Sequence, residues 1–296
     1  MRFAGFCRIV VLFHIMSNVW RKDGAMRKMT LGFIGGGHLA GALIKGLGKV
    51  ISLNDIWVSD PSEERRAVLA NWGCRATPSN SQIVEKADFI VLAVRPDAME
   101  RVLTEIACLS DGKCFLSVAA GLSVRYIRGR LAPGARVMRA MPNMNAEYGA
   151  AASVIARDED MPARFREFAV SLFSASGLVL ELPESLFSAV TSLSGSGPAY
   201  FFAMASAMIR GAVEQGIPQD AARLLAAQTM LGSAETLLQS GREAGALADA
   251  VAVPGGTTEA ALCVLRARGW QETLEEAMRA CAARSDVIAE NWESHT

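Results

Sequence analysis

Thr30-Leu31-Gly32-Phe33-Ile34-Gly35-Gly36-Gly37-His38-Leu39-Ala40 is the stretch that decides the fold. An apolar run of strand character meets three consecutive glycines, and residues 39–47 then read as a helix. A glycine triplet alone says little. Strand, glycine turn and helix in immediate succession are the fingerprint of a dinucleotide-binding unit. Gly35 permits the tight turn, Gly37 lets backbone approach a pyrophosphate, and Ala40 permits close helix–strand packing. The helix N-terminus then offers its N–H groups to phosphates, here those of a nicotinamide dinucleotide.

Outward from this loop the pattern alternates. Strands are expected at 30–34, 55–59, 89–93, 114–117 and 136–139, and helices at 38–47, 62–71, 97–107 and 123–130. That order implies a parallel sheet covered on both faces, a Rossmann-type α/β domain. A further strand–helix–strand unit at 150–156, 162–174 and 178–182 extends it. After Pro183 the chain turns alanine-rich and helical, with Gly216 placed to end one helix and Pro218 to open the next at its first position. The expected organisation is an extension over 1–28, disordered or begun too early; a dinucleotide-binding domain over 29–183; and an all-α domain over 184–296.

Asp60 closes the second strand, where a carboxylate takes the adenosine ribose 2′-OH or simply caps the next helix. Ser59, Ser62, Arg65 and Arg66 surround it and suit a 2′-phosphate, so the coenzyme preference stays open. Ala93-Val94-Arg95-Pro96 and Ser117-Val118-Ala119-Ala120-Gly121 end strands at the same edge, with small residues that leave room for a flat ring.

Thirty basic residues balance thirty acidic ones, which leaves no excess to attract nucleic acid or an anionic membrane. The six scattered cysteines form no C-x-x-C pair and are expected as buried free thiols; with histidine only at 14, 38 and 295, no metal site is expected. The protein is read as cytoplasmic. Alcohol oxidation calls for a base, commonly His or Lys, yet no lysine follows Lys113. Reduction of a C=N bond demands less, because a protonated imine already carries the charge and needs chiefly positioning. Two hydroxyl-rich turns in the helical half suit a small acid: Thr191-Ser-Leu-Ser-Gly-Ser-Gly-Pro-Ala-Tyr200 and Pro254-Gly-Gly-Thr-Thr258. Each precedes a helix, and such a nest of N–H groups suits a carboxylate.

With these two turns, Leu224–Gly232 and Gly245-Ala-Leu-Ala-Asp249, the sequence resembles the pyrroline-5-carboxylate reductase family from about Leu31 to about Ile288. The resemblance implies NAD(P)H-dependent reduction of (S)-1-pyrroline-5-carboxylate to L-proline, the last step of proline biosynthesis, by homodimers with interlocked helical domains, often assembled into decamers. It implies that Ile34, Gly35, Gly36, Gly37, His38, Leu39, Asn80, Ala93, Val94, Arg95, Pro96, Ala119, Ala120 and Gly121 line NADPH or NADH, with Ser59 and Asp60 at the ribose and Asn143 near the nicotinamide. Thr257 and Thr258 would hold the substrate carboxylate through backbone N–H groups. Thr191, the catalytic candidate, would face the imine nitrogen, and Glu184 would place a negative charge nearby.

The family loop usually reads G-x-G-N-M, against His38-Leu39 here. M-P-N-T-P becomes Met141-Pro-Asn-Met144-Asn145, Val253 replaces a common serine, and Arg95 a frequent lysine. These departures leave two alternatives: a reductase of another cyclic imine acid, or a non-catalytic dinucleotide-binding protein of the same fold.

Overall fold

The computed structural model describes residues 29–49 and 51–293, so the expectation for residues 1–28 falls outside the described residues. Strand β1 (Leu31–Ile34) leads into α1 (His38–Leu47), β2 (Ile56–Ser59), α2 (Glu63–Asn71), β3 (Arg75–Thr77) and α3 (Asn80–Lys86). There follow β4 (Phe89–Leu92), α4 (Pro96–Ile106), β5 (Cys114–Ser117), α5 (Val124–Arg128) and β6 (Arg136–Met141). β7 (Ala151–Ala156), α6 (Ala163–Ser174), β8 (Gly177–Leu182) and the short helix α7 (Phe187–Val190) come next. The strands make one sheet in the order β3-β2-β1-β4-β5-β6-β7-β8. Only the β6–β7 pairing is antiparallel.

Strands buried on both faces read as continuous apolar runs, and β1, β4 and β5 are buried at every residue. Their side chains divide by period two. Leu31, Phe33, Phe89 and Val91 join the core on one face, while Ile34, Ile90, Leu92 and Phe115 join the other. Phe89 meets Phe168 of α6 at 4.8 Å between ring centroids. On the opposite face α4 brings Met99, Val102, Leu103 and Ile106, the i, i+3, i+4, i+7 stripe of an amphipathic helix. The chain reverses direction across the sheet between β1 and β4, which are hydrogen-bonded neighbours. In open α/β sheets this switch point is where ligands bind.

Two elements escaped the sequence reading. β3 is an edge strand of three residues that begins on the exposed Arg75, and α3 opens on the Ser79 side chain, which accepts from the Gln82 N–H. Neither is long enough to show a period. A smaller correction concerns Pro218, which caps its helix at ψ 141° instead of occupying the first helical position.

By contacts the chain forms two compact units, one running through Gly195 and regaining the chain from Cys281, the other Ser196–Ala280. The second unit contains α8 (Gly197–Glu214), α9 (Gln219–Ser240), α10 (Ala244–Val251), α11 (Thr257–Ala267) and the start of α12 (Trp270–Glu293). α9 packs on α8, yet little of the unit's own apolar surface is covered. Phe201, Phe202, Leu224, Leu225, Leu231 and Leu238 are all exposed. Cysteine burial corrects the expectation of buried thiols throughout. Cys74 and Cys114 are buried, whereas Cys108, in a turn after α4, and Cys263, on α11, are exposed. Burial pushes the Cys74 thiol up to about 11 and Cys114 to about 12, so neither is a nucleophile at neutral pH. No helix among the described residues is long and apolar enough to cross a membrane.

Candidate active site

The glycine loop crosses the carboxyl end of β1. Gly35, at φ +98°, donates its N–H to the Ser59 carbonyl at 2.8 Å, and a Cβ there would meet the Ala93 oxygen at 2.6 Å. It is pressed between the ends of β2 and β4. Gly37 differs: its φ of −72° is ordinary, and a Cβ would find no protein atom within 4 Å. The protein itself makes no demand for glycine there, so the open space above it is a cradle a Cβ would fill. α1 begins at once, and its first intrahelical bond is Gly41 N–H to Gly37 O. The N–H groups before that bond, including those of His38 and Leu39, carry the positive end of the helix dipole toward the cradle. His38 is exposed, and no acidic residue lies in this first turn. A dinucleotide pyrophosphate fits this donor set.

Asp60 sits where expected in the chain, but its carboxylate faces inward. It is 3% exposed; Oδ2 accepts the Gly36 N–H and Oδ1 the Ser62 N–H, both at 2.9 Å. Its oxygens therefore brace the glycine loop. Ser59 is fully buried and donates to Asn80 Oδ1 at 2.7 Å, while Asn80 Nδ2 donates to Glu105 at 2.8 Å. Ser59 thus supports the loop from behind. Arg66 donates to the carbonyls of Asp60 and Pro61, and Arg65 approaches Asp60 at 3.6 Å with 60% of its side chain exposed. On the other side of the switch point, Ala93, Val94 and Pro96 are half-buried. Arg95 projects outward and pairs with Asp97 at 3.1 Å. Ala119 and Gly121 are buried beyond β5, with Ala120 half-buried between them.

At the end of β6, Asn143 is buried, caps the next turn through Asn145 N–H, and donates Nδ2 to the Ser194 carbonyl at 3.0 Å. Ser194 lies in Thr191–Gly195, a π-helical turn that continues α7. Such turns recur at functional sites. Thr191 is buried and donates Oγ1 to the Phe187 carbonyl at 2.7 Å, which leaves the oxygen lone pairs as acceptors. Asn143 is thereby tied to the turn that carries Thr191.

Glu184 is held by two donors. Its Oε1 accepts from Arg139 Nη1 at 3.2 Å and from the Val124 N–H at 2.9 Å. One carboxylate oxygen thus faces a buried arginine while the side chain keeps 32% exposure. Burial pulls the Arg139 guanidinium below its ordinary range, and Glu184 opposes that shift. Sequence reasoning missed Arg139, although a charge inside the apolar run Val137-Met138-Arg139-Ala140-Met141 was the available signal.

Within the helical unit, Pro254-Gly-Gly-Thr-Thr258 forms a turn into α11. Gly256 caps the helix, and Thr257 and Thr258 occupy its first two positions. The first intrahelical bond is Ala260 N–H to Gly256 O, and Glu259 holds the turn by accepting the Gly255 N–H at 2.7 Å. The Thr257 and Thr258 N–H groups precede that bond, an arrangement that suits a carboxylate. Among the described residues no group of His, Cys, Asp and Glu is arranged to hold a metal ion.

Comparison with known proteins agrees with this layout. A family model described as pyrroline-5-carboxylate reductase dimerisation matches residues 184–288, and one described as NADP oxidoreductase coenzyme F420-dependent matches 30–121. The chain is 36% identical to pyrroline-5-carboxylate reductase of Methanosarcina acetivorans over 89% of its length and 99% of the relative's. Among solved structures, the pyrroline-5-carboxylate reductase of Coxiella burnetii superposes with a TM-score of 0.82 at 30% identity, covering 89% of this chain and 99% of that one. The Plasmodium falciparum pyrroline carboxylate reductase, solved with NADP bound, also gives 0.82, at 25% identity over 90% of this chain and 100% of its own. With a dinucleotide cradle at the switch point and a relative this similar over nearly its whole length, the chain belongs to the pyrroline-5-carboxylate reductase family.

Proposed function

We propose that the protein reduces (S)-1-pyrroline-5-carboxylate to L-proline with NADPH, accepting NADH less well. The observation that carries this reading is the open cradle above Gly37, in a chain 36% identical to a reductase of that name over 89% of its length. Residues 29–183 hold the cofactor, and 184–296 serve the substrate and a second copy of the chain. The exposed apolar side chains of α8 and α9 are the kind of surface an obligate dimer covers; assembly of dimers into a decamer and a cytoplasmic location belong to the same reading.

The cofactor, when bound, supplies the hydride that reduces the C=N bond. The protein supplies place and direction. The N–H groups at the start of α1 hold the pyrophosphate, Asn143 borders the nicotinamide, and the Thr257 and Thr258 N–H groups bind the substrate carboxylate. Thr191 Oγ1, fixed as a donor to Phe187, turns an acceptor lone pair toward the imine N–H and orients the ring for attack. A strong base is not needed.

Purified protein should oxidise NADPH on addition of pyrroline-5-carboxylate and release proline. Absence of turnover with either coenzyme would sink the proposal. Because Asp60 is turned inward and Arg65 is exposed, Arg65→Ala should raise the KM for NADPH about fivefold, the worth of one exposed charge contact, and leave NADH unaffected. Parallel steady-state kinetics with both coenzymes will decide it. A second reading, another cyclic imine acid as substrate, draws on Met144, which is exposed just beyond Asn143; a substrate panel separates the two.

A further inference from the structure

Arg139 lies on β6 with 6% of its surface exposed. Its Nη1 contacts Glu184 Oε1 at 3.2 Å, the same oxygen accepts the Val124 N–H at 2.9 Å, and the guanidinium stands 4.7 Å over the Phe187 ring. Arg139 Nε carries no hydrogen bond. Three segments meet at this contact: β6, which runs on to Asn143; the start of α5, which follows Ala119–Gly121; and the segment from Glu184 through α7, which runs on to Thr191. At their far ends β6 and the π-helical turn are tied again by Asn143 and the Ser194 carbonyl at 3.0 Å. Just past the second tie the segments run so close that a Cβ on Gly195 would lie 2.5 Å from Met141 Cε. Thr191 and Asn143 therefore sit on two strips of chain pinned to each other at both ends.

Arg139 is buried while the Glu184 side chain keeps 32% exposure, and a contact that takes one charge out of water is a poor device for stability, because desolvation cancels much of the attraction. What a planar guanidinium does well, laid over the Phe187 ring with Nη1 reaching Glu184, is fix distance and direction. We infer that Arg139 and Glu184 are a positioning pair for the reduction. Touching neither substrate nor cofactor, they set the separation between the Asn143 end of β6 and the Thr191 turn. The inference rests on the reading of those two residues as the nicotinamide-side and imine-side walls of the site.

The test is a double variant, Arg139→Met with Glu184→Gln, which removes both charges while an amide oxygen still accepts the Val124 N–H. Its kcat for pyrroline-5-carboxylate should fall about tenfold, as expected when reacting groups drift by a fraction of an ångström. The NADPH Kd, read by fluorescence titration, and the melting temperature should stay near wild type. Arg139→Lys keeps the charge but loses the planar guanidinium that lies over Phe187. It should show a smaller fall in kcat at unchanged Kd, and it carries the test should the double variant not fold. Wild-type kcat in either folded variant, or a loss confined to melting temperature, overturns the positioning role alone. No turnover by the wild-type protein overturns the proposed function and this inference with it.

Discussion

Gly37→Ala is expected to weaken NADPH binding about a hundredfold, the cost of losing a charge-assisted backbone contact, without lowering the melting temperature. The backbone at Gly37, φ −72° and ψ −172°, is one that alanine adopts freely, and its Cβ would meet nothing in the protein within 4 Å. Loss of glycine entropy from the unfolded chain would even favour the folded state slightly. The added methyl instead stands where the pyrophosphate must approach the N–H groups of α1. Gly35→Ala makes the contrast. At φ +98° and 2.6 Å from the Ala93 oxygen, that Cβ strains the protein itself, and stability should fall with affinity. Fluorescence titration with NADPH and thermal unfolding of both variants separate the two effects. Wild-type affinity in Gly37→Ala would remove the loop from the cofactor site.

Thr257→Pro is expected to raise the KM for pyrroline-5-carboxylate about a hundredfold, again the cost of one hydrogen bond to a charged group. Proline is at home at the first position of a helix, and Gly256 before it is extended, at φ −86° and ψ 168°, as a residue preceding proline prefers. The substitution therefore deletes one N–H and leaves α11 intact. Thr257→Ala, which keeps the N–H, should stay close to wild type. NADPH affinity should be unchanged in both. Equal KM values for the two variants would show that the α11 N-terminus does not hold the substrate carboxylate.

Much of this protein was legible in the order of its residues. The run Leu31-Gly-Phe-Ile34 followed by three glycines and a helix dictates a tight βα turn on local grounds, because only glycine adopts the φ of Gly35 without strain. The alternation of Phe89 and Val91 with Ile90 and Leu92 requires a strand buried on both faces. The turn before Thr257 announced a helix start in the same local way. These are short-range facts, settled by steric limits and hydrophobic period.

What sequence order did not reveal depends on partners far along the chain. The Asp60 carboxylate lies 2.9 Å from a glycine N–H 24 positions earlier, so it braces the loop. Glu184 meets the buried Arg139 across 45 positions, a pairing that no local pattern announces. β3 and α3 are too short to carry a period and exist because β2 and α4 lend them surfaces. Local pattern determined where this chain makes its turn, its strands and its helix ends. The tertiary structure alone decided which polar groups face the ligand and which face each other, because a buried carboxylate turns toward whatever donor the fold brings within hydrogen-bond reach.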